Sequence, residues 1–321
     1  MNNKPIIIVA GEPYSVFLEI FFKSKKKINI TKPIILIASK ELVLLQMKKL
    51  GFHFEINTVN LNKIKINSLD KKKINLIDVK FKFDRAFDKI SEKSNSYINE
   101  SFKIALKILK KKNCAGLING PISKKHFLNG KNLGITEYLS KKTKSNDDVA
   151  MLIFSRKLSV SPITTHLAVK NIHKYVSKKK IFTHIKLITE FYKKNFKRKP
   201  NIAITGLNPH CESNFKDSEE NLIIIPAIKY MQDKKFNVEG PFPADTIFMQ
   251  KNLKKFDVII GMYHDQVLTP MKALFGFDAI NITLGLPFVR ISPDHGPNST
   301  MLGKNLSNPK SLIKALEFLD K

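Results

Sequence analysis

The chain has 321 residues, 43% of them hydrophobic, and carries a formal net charge of +29 at pH 7. This length supports a sizeable core in one large α/β domain or two lobes. No segment approaches the roughly 20 apolar residues of a membrane helix, and the N-terminus begins in a strand pattern rather than a signal peptide. Cys114 and Cys211 form neither a disulfide framework nor a CxxC motif. The sequence therefore predicts a cytoplasmic protein without a membrane partner.

The positive charge comes mainly from lysine and is spread along the whole chain. Four residues are arginine: Arg85, Arg156, Arg198 and Arg290. Nucleic-acid sites concentrate arginine and aromatic side chains on one face, and the sequence contains no such cluster. We therefore expect no nucleic-acid partner, although the charge could help to attract phosphorylated substrates.

Short apolar runs alternate with amphipathic segments in chain order. Continuous β-branched runs are typical of strands buried on both faces, and they predict strands at 5–10, 33–38, 114–118, 150–154, 158–165, 201–205, 258–260 and 279–284. Apolar residues at helical spacing and capping residues predict helices at 15–25, 39–51, 87–111, 170–197, 218–233 and 311–320, and a further helix start at Thr136 and Glu137. Residues 52–84 are interpreted as edge strands and loops. This alternation predicts a largely parallel α/β architecture.

Three of the eight histidines occupy the same kind of position in this pattern. His166, His210 and His264 each follow a predicted buried strand by a few residues at most. Parallel strands would bring their carboxyl ends, and these three side chains, to one edge of the sheet. Neutral imidazole suits a divalent transition metal, and three protein ligands with an open position are typical of a catalytic site. The alternative is that each histidine only satisfies local backbone groups.

Charged and polar residues near these histidines point to an anionic substrate. Asp245 and Asp265 could move protons, but Asp245 could equally cap a helix and Asp265 could orient a metal-bound group. Lys272 could bind an anion or transfer a proton, and Arg290 has the fork that suits phosphate or carboxylate. Asn281 lies between them in sequence. No GxGxxG or GxxxxGK[ST] motif occurs, so neither a Rossmann fingerprint nor a P-loop is available.

The motifs in this region closely resemble those of the 4-hydroxythreonine-4-phosphate dehydrogenase family, which serves pyridoxal phosphate synthesis. The resemblance rests on YHDQ at 263–266, NITLGLPFVR at 281–290 and SPDHG at 292–296. It extends through the chain in GEP at 11–13, NGPISK at 119–124, GITEYL at 134–139, TTHL at 164–167, GLNPH at 206–210 and GPFPADT at 240–246. Motifs of this length and order are highly specific.

The resemblance implies a site and a fold. It implies a divalent metal (Zn, Mg or Co) on His166, His210 and His264. The substrate contacts carried over from the family are Thr136, Lys272, Asn281 and Arg290. It implies a homodimer whose active site includes residues of both subunits. The implied fold is that of isocitrate and isopropylmalate dehydrogenases: two lobes, a largely parallel sheet and NAD(P) binding without a Rossmann fold.

The same relatives suggest lobe boundaries and a nucleotide loop. By analogy, residues 1–120 and 295–321 form a first lobe, and 121–294 form a second lobe that carries the metal ligands and dimer contacts, with the active site in the cleft. The HG…GK…NP pattern of the relatives' nucleotide loop is similar to HGPNSTMLGKNLSNP here. The residues that match this pattern and would bind the cofactor are His295, Gly296, Gly303, Lys304 and Asn308. Without the resemblance they would be interpreted as an ordinary glycine-containing loop.

The implied reaction oxidises the secondary alcohol of 4-phosphooxy-L-threonine with NAD or NADP, and the resulting β-keto acid loses CO₂ to give 3-amino-2-oxopropyl phosphate. Asp265, Asp245 and Lys272 are the candidate bases. Three features depart from the family: GEPYSVFLE and NPHCESNF replace glycine-rich segments, and Ile135 replaces a substrate-contacting histidine. The alternatives are a sister dehydrogenase for another phosphorylated hydroxy acid, such as a four-carbon sugar acid phosphate, a non-redox three-histidine metal lyase or hydrolase, and a non-catalytic binding protein.

Overall fold

The computed structural model describes residues 4–61, 68–111, 113–128, 134–145, 149–211, 215–276, 278–293 and 296–321. The chain divides into two compact units. The first unit comprises Met1–Ile135 and Phe288–Lys321, and the second comprises Thr136–Pro287. Among the described residues, no helix is both long and apolar enough to cross a membrane.

These boundaries differ from the predicted ones at 120 and 295. Hydrogen bonds from one main-chain donor and one side-chain donor hold the segment after 120 in the first unit. The N–H of Glu12 donates to Pro121 O at 2.9 Å. The side chain of Asn95 donates from Nδ2 to His126 O at 3.0 Å. The segment after 120 therefore stays with the first unit as far as Ile135.

The strands, numbered in chain order, are β1 (Ile6–Val9), β2 (Ile34–Ala38), β3 (Ile56–Thr58), β4 (Ile74–Asp78), β5 (Gly116–Asn119), β6 (Ala150–Phe154), β7 (Ser159–Thr164), β8 (Ile202–Thr205), β9 (Val238–Phe242), β10 (Val258–Tyr263), β11 (Ile280–Leu284) and β12 (Arg290–Ser292). The helices are α1 (Phe17–Lys27), α2 (Lys40–Lys49), α3 (Asn95–Leu109), α4 (Ile135–Thr143), α5 (Ile172–Tyr175), α6 (Lys178–Phe196), α7 (Ile225–Asp233), α8 (Gln250–Leu253), α9 (His264–Phe275) and α10 (Lys310–Asp320). Short 3₁₀ and π turns connect some of them.

The first unit is built on parallel strands in the order β3-β4-β2-β1-β5-β12. β1 lies between β2 and β5, and Ile7 pairs with Ile35 on one side and Leu117 on the other. All four residues of β1 are 0% exposed. A strand in this position is covered on both faces, which explains its unbroken β-branched sequence.

The second unit has the strand order β11-β6-β7-β10-β8-β9. β7, β10, β8 and β9 are parallel, whereas β6 runs antiparallel to both β7 and β11. The predicted largely parallel α/β architecture is therefore confirmed. Because β7, β10 and β8 are parallel neighbours, their carboxyl ends meet at one edge of the sheet.

Apolar side chains from the strands and the first turns of α9 form one core of the second unit. Val160, Ala203 and Ile259 come from three adjacent strands and are all 0% exposed. Val267 and Met271 of α9 join the same cluster. Each large aliphatic side chain buried here contributes about 1.5–3 kcal/mol to folding. This core fixes the start of α9 against the strand ends.

Two helix starts differ from the sequence-based prediction. The helix predicted from 87 begins at Asn95, and Phe87 instead packs at Gly303, where an added Cβ would lie 2.9 Å from the Phe87 ring. Ser15 is not the N-cap of α1, because its hydroxyl donates to Glu12 O at 2.7 Å in the preceding turn. The predicted cap of α2 is confirmed, since Ser39 Oγ accepts from Leu42 N.

The stretch after 258–260 contains more regular structure than the sequence pattern predicts. β10 continues to Tyr263, and His264 is the first residue of α9 rather than part of an exit loop. Four elements, α8, α9, β9 and β12, were not predicted from the sequence. The predicted helix at 170–197 is divided into α5 and α6, because Ser177 begins a new helix by accepting from Lys180 N.

Candidate active site

The three histidines singled out in the sequence follow three adjacent parallel strands of the second unit. β10 pairs with β7 through Tyr263 and Thr164, and with β8 through Ile260 and Ile204. His264 directly follows β10, His166 lies two residues beyond β7, and His210 lies five residues beyond β8. The predicted shared edge for these strand ends is therefore present.

The imidazoles of His166 and His264 lie close together. Their ring centroids are 5.8 Å apart, and the ring planes are inclined by 36°. Two imidazoles bound to one zinc ion through 2.0–2.1 Å bonds would place their centroids about 5–6 Å apart. The separation of this pair therefore suits a shared divalent ion.

Asp265 orients the ring of His264. The two residues are neighbours at the start of α9, and His264 Nδ1 lies 2.7 Å from Asp265 Oδ1. Because an ionised carboxylate can only accept, this contact favours a proton on Nδ1 and leaves the lone pair on Nε2. A carboxylate behind a histidine in this way is the usual arrangement of a metal-binding imidazole.

His210 faces the other predicted acid. Its Nδ1 lies 3.9 Å from Asp245 Oδ2, which is longer than a hydrogen bond. The backbones of His166 and His210 are both left-handed, with φ of 50° and 58°. This conformation is uncommon for residues other than glycine and tends to occur at functional sites, where packing holds it in place.

Within the described residues, no three His, Cys, Asp or Glu side chains stand close enough to form one metal-binding group. The structure brings His166 and His264 together, whereas His210 is directed towards Asp245. The donor set nevertheless suits a borderline metal, because it offers two adjacent imidazoles and a third from the neighbouring strand end.

Buried polar side chains that were not assigned to the site from the sequence connect these strand ends. Thr164, the last residue of β7, donates from Oγ1 to Met262 O of β10 at 2.8 Å. Gln266 Oε1 accepts from Thr205 Oγ1 at 2.8 Å and from Met262 N at 2.7 Å, and its Nε2 donates to Gly206 O at 2.8 Å. A polar residue at the last position of an otherwise apolar strand is the sequence signal that could have identified Thr205, since β8 reads IAIT.

A second buried group shapes the loop that leads to His210. Glu220 is 0% exposed, and its Oε1 accepts from the backbone N–H groups of Leu207 and Asn208 at 2.7 and 2.9 Å. Asn208 Nδ2 donates to Glu220 Oε2 at 2.8 Å. Burial by itself would raise the pKa of Glu220, but the hydrogen bonds from Asn208 and Leu207 outweigh it and lower that pKa below its usual value.

Three predicted substrate contacts belong to the second unit. Asn281 lies on β11, and its Oδ1 is buried without a hydrogen-bond donor among the described residues. Thr136 lies in the first turn of α4, with its hydroxyl 3.5 Å from that of Thr283. Lys272 is an exposed residue of α9, two turns beyond His264. A buried acceptor without a donor is costly, so Asn281 is suited to a ligand that donates a hydrogen bond.

Arg290, the fourth predicted contact, belongs to the first unit. It is 1% exposed on β12, and its Nε donates to Asn119 Oδ1 at the end of β5 at 2.7 Å. Asn119 is part of the NGPISK motif and was not assigned a role from the sequence. The guanidinium is therefore held by the sheet of the first unit.

The predicted nucleotide loop also lies in the first unit, where α1 anchors it at both ends. Val16 N donates to Pro297 O at 3.2 Å. Lys23 Nζ donates to Asn305 O at 2.8 Å and to Ser307 O at 2.9 Å. Glu19 Oε1 accepts from both Lys23 Nζ and Ser307 N. The loop between these anchors is thus held against one helix.

The individual residues predicted to bind the cofactor have different settings. Gly303 has φ of 76°, a conformation that favours glycine. Asn308 Oδ1 accepts from Lys310 N at 3.0 Å and so also supports the start of α10. Gly296 is described and has open space where a Cβ would lie. His295 lies outside the described residues.

Known proteins match this chain along nearly its whole length. The model of the family "Pyridoxal phosphate biosynthetic protein PdxA" matches residues 29–319. A 4-hydroxythreonine-4-phosphate dehydrogenase of Sulfurihydrogenibium sp. is 35% identical over 98% of this chain and 96% of that protein. A putative D-threonate 4-phosphate dehydrogenase of Oceanobacillus iheyensis is 31% identical over 98% and 97% of the two chains.

Solved structures agree with this relationship. The structure of a putative 4-hydroxythreonine-4-phosphate dehydrogenase from Salmonella typhimurium superimposes with a TM-score of 0.85 at 28% identity, covering 99% of this chain and 98% of that one. Isocitrate dehydrogenase from Methylococcus capsulatus shares the fold at a TM-score of 0.50 and 9% identity, over 97% and 83% of the chains. The expected isocitrate dehydrogenase-like fold is thereby confirmed. With nearly its whole length matched, this chain belongs to the pyridoxal phosphate biosynthetic protein PdxA family.

Proposed function

We propose that this protein is an NAD(P)-dependent dehydrogenase that oxidises 4-phosphooxy-L-threonine in pyridoxal phosphate biosynthesis. The product of oxidation, a β-keto acid, then loses CO₂ to give 3-amino-2-oxopropyl phosphate. Family membership and the names of the relatives support the substrate. The observation that carries the proposal is the edge formed by β7, β10 and β8, which supplies His166, His264 and His210.

These three histidines would hold a divalent Zn, Mg or Co ion, which as a Lewis acid would stabilise negative charge on the substrate oxygen. The 2.7 Å contact with Asp265 favours a proton on Nδ1 of His264, so that the lone pair of Nε2 would bind the metal. Asp245 lies on the Nδ1 side of His210 at 3.9 Å and would take the same role there. Asp265 would thus set the tautomer and direction of the His264 imidazole, and Asp245 would do so for His210 once the two approach to hydrogen-bond distance.

Oxidation removes a hydride and a proton from the substrate carbinol. The hydride passes to NAD⁺ or NADP⁺, and the hydroxyl proton passes to one of three side chains: Asp265, Asp245 or Lys272. The two acids also contact histidines, so replacing either should alter both metal affinity and the pH dependence of turnover. Replacing Lys272 should alter only the pH dependence of turnover.

Substrate binding would use the four side chains that the resemblance assigns to it. Asn281 Oδ1, buried without a donor among the described residues, would accept from the ammonium or hydroxyl group of the substrate. Thr136 offers a hydroxyl, and Lys272 offers a positive charge for phosphate or carboxylate. Arg290 is held by Asn119 and would add a fixed positive charge. We also propose a cytoplasmic homodimer with residues of both subunits at each site, and a cofactor loop that includes His295, Gly296, Gly303 and Asn308.

A second candidate is oxidation of D-threonate 4-phosphate, a hydroxy acid phosphate without the amino group. A relative named as a putative D-threonate 4-phosphate dehydrogenase matches 98% of the chain. Ile135, at the start of α4, is an apolar residue at the sequence position where 4-hydroxythreonine-4-phosphate dehydrogenases have a substrate-contacting histidine. Loss of that polar group would change how the substrate is held.

The test is a nicotinamide reduction assay with purified protein, NAD⁺ or NADP⁺, and Zn²⁺ or Mg²⁺. 4-Phosphooxy-L-threonine and D-threonate 4-phosphate would be compared as substrates. His264→Ala should reduce the rate of nicotinamide reduction by more than the roughly 10- to 100-fold that follows removal of a group hydrogen-bonded to a metal ligand. His173→Ala, at an exposed histidine of α5, is the matched control and should keep wild-type activity.

Metal-dependent reduction with the first substrate, lost in His264→Ala, supports the proposal. Reduction with D-threonate 4-phosphate alone supports the second candidate. If folded, metal-loaded protein reduces no nicotinamide with either compound, both dehydrogenase assignments fail, and a non-redox lyase or hydrolase becomes the function to test.

A further inference from the structure

Gln266 makes three side-chain hydrogen bonds, although the proposed chemistry does not use this side chain. It is 9% exposed. Its carboxamide oxygen accepts two hydrogen bonds and its nitrogen donates one, all between 2.7 and 2.8 Å. The backbone partners fix the orientation of the amide, because Met262 N can only donate and Gly206 O can only accept.

These partners belong to two different strand ends. Thr205 and Gly206 lie where β8 passes into the loop that carries His210. Met262 lies near the end of β10, and Gln266 itself follows His264 by two residues on the first turn of α9. One carboxamide therefore ties the loop of one predicted metal ligand to the helix start of another.

The surroundings of this contact leave little freedom for it to move. A Cβ at Gly206 would lie 2.7 Å from Cys211 Sγ, and a Cβ at Gly261 would lie 2.4 Å from Val267 Cγ1. Both glycines thus allow the chain to pass close to packed side chains next to the carboxamide. A shift of either strand end would break hydrogen bonds that water cannot easily replace at a buried site.

We propose that Gln266 is a positioning residue that sets the placement of His210 relative to His264 and so raises the affinity of the three-histidine site for its metal. This inference rests on the metal site of the proposed function. Thr164, which donates to Met262 O, has the corresponding position between β7 and β10. The carboxamide is bonded to Thr205 Oγ1, Met262 N and Gly206 O rather than to a histidine ring, so it acts by holding the two strand ends.

The competing interpretation is that Gln266 is only a buried polar group that contributes to stability. Gln46 provides a matched control, because it is 1% exposed and donates from Nε2 to the backbone oxygens of Pro13 and Ala86 in the first unit. Replacing either glutamine by leucine removes buried hydrogen bonds to the main chain. Only the Gln266 replacement should weaken metal binding at the histidines.

The experiment is a Co²⁺ titration of full-length protein freed of metal, followed by visible absorption, with thermal unfolding measured in parallel. The variants are Gln266→Leu, Gln46→Leu and His264→Ala. Thr205→Val and Thr205→Ser form a milder pair, since valine keeps the shape but loses the hydroxyl that donates to Gln266, whereas serine keeps it. This pair tests the inference even if Gln266→Leu does not fold.

We expect Gln266→Leu to raise the Co²⁺ dissociation constant by about 10- to 100-fold and to change the absorption spectrum. Gln46→Leu should lower the melting temperature but leave the Co²⁺ dissociation constant within about threefold. Thr205→Val should weaken Co²⁺ binding, and Thr205→Ser should restore it.

Two results would overturn the inference in distinguishable ways. If wild-type protein binds Co²⁺ through His264 and both Gln266→Leu and Thr205→Val bind it with the same dissociation constant and spectrum, the positioning role alone is wrong. If His264→Ala binds Co²⁺ as the wild type does, or the wild type binds none, the proposed metal site is wrong and the role of Gln266 with it.

Discussion

Glu12 is a carboxyl group buried in the turn after β1, with 1% of its surface exposed. Burial raises its pKa to about 7, against the opposing effect of a hydrogen bond from Ser94 Oγ. Its Oε1 has no hydrogen-bond partner among the described residues. The folded state therefore binds a proton at this site more tightly than the unfolded chain does.

Replacing Glu12 by Gln should stabilise the protein at alkaline pH and have little effect at acidic pH. The folded pKa of Glu12 lies above the unfolded value, so the carboxyl group does not reduce the free energy of unfolding below about pH 4.5. As the pH rises from there through 7, ionisation in the unfolded state increasingly destabilises the fold. Glutamine resembles the protonated acid at every pH. We expect Glu12→Gln to gain about 1–3 kcal/mol at pH 8, measured by urea unfolding at pH 5 and 8. An equal effect at both pH values would contradict this prediction.

The pKa of Glu220 is shifted in the opposite direction, because hydrogen bonds to its carboxylate outweigh the effect of burial and lower it. Its stabilising contribution is present above the unfolded pKa and is lost as the pH falls through the folded pKa. Glu220→Gln places an amide where Leu207 and Asn208 supply only donors, so we expect a loss of about 1–3 kcal/mol at pH 7. The difference from wild type should shrink at pH 3.5 in urea unfolding.

Glu190→Gln, on the exposed face of α6, is the control for this measurement. It should change the free energy of unfolding by less than about 0.5 kcal/mol at either pH. A Glu220 variant as stable as this control at pH 7 would show that the carboxylate does not hold the loop before His210.

Single residues differed in how well the sequence predicted their roles. The sequence singles out His166 and His264 because following a strand is a local property that a sequence displays, and the structure places their rings 5.8 Å apart. Gln266 and Glu220 act through partners many positions away, such as Thr205 and Asn208, and their pairing depends on the path of the chain. No local pattern distinguishes such a buried polar group from an exposed one.

At the level of elements, α1 and the loop from Gly303 to Asn308 depend on one buried ion pair. Glu19, with 3% of its side chain exposed, lies 2.9 Å from Lys23 Nζ. Both charges also bond to the loop backbone, at Ser307 N and at the carbonyl oxygens of Asn305 and Ser307. Removing one partner of a buried pair leaves the other charge uncompensated.

Replacing Glu19 by Ala should therefore release the loop from α1 and weaken binding of the nicotinamide cofactor to the first unit. We expect a loss of about 3–5 kcal/mol in the free energy of unfolding. Cofactor affinity would be measured from the change in the fluorescence of the reduced nicotinamide cofactor on binding. Glu317→Ala, in the exposed Lys314–Glu317 pair of α10, is the control and should cost less than about 1 kcal/mol. Normal cofactor affinity in a folded Glu19 variant would separate the loop from nucleotide binding.

The elements themselves show which local signals were sufficient. Buried strands such as β1 and β10 were predicted because a short, unbroken run of β-branched residues rarely occurs outside a buried strand. α9 was missed because His264, Asp265 and Gln266 at its start have the composition of a loop, and Pro270 lies inside it. Its helical state depends on Val267 and Met271 packing into the core of the second unit, which is a tertiary effect.

On the scale of the whole molecule, the two units contain groups whose protonation changes stability in opposite directions. In the second unit, burial lowers the pKa of His184 to about 3, and Glu220 and Asp257 have lowered pKa values. Burial would raise the pKa of Asp257, but hydrogen bonds from Arg198 and Asn201 lower it. A neutral buried histidine and paired carboxylates all lose stability as the pH falls. In the first unit, Glu12 opposes this trend.

We therefore predict that acid destabilises the second unit before the first. His184 begins to favour the unfolded state as the pH drops below its unfolded value of about 6.5, at up to roughly 1.4 kcal/mol per pH unit. Protonation of Glu12 gives the first unit a compensating gain over part of the same range, whereas Asp70, a carboxyl group there with a lowered pKa, is partly exposed and contributes little. Hydrogen exchange followed by mass spectrometry at pH 7 and 4.5, corrected for intrinsic exchange rates, measures this by unit. Peptides from β7, β8 and α6 should lose protection first. Earlier loss in β1, β2 and α3 would mean that other groups control the acid response.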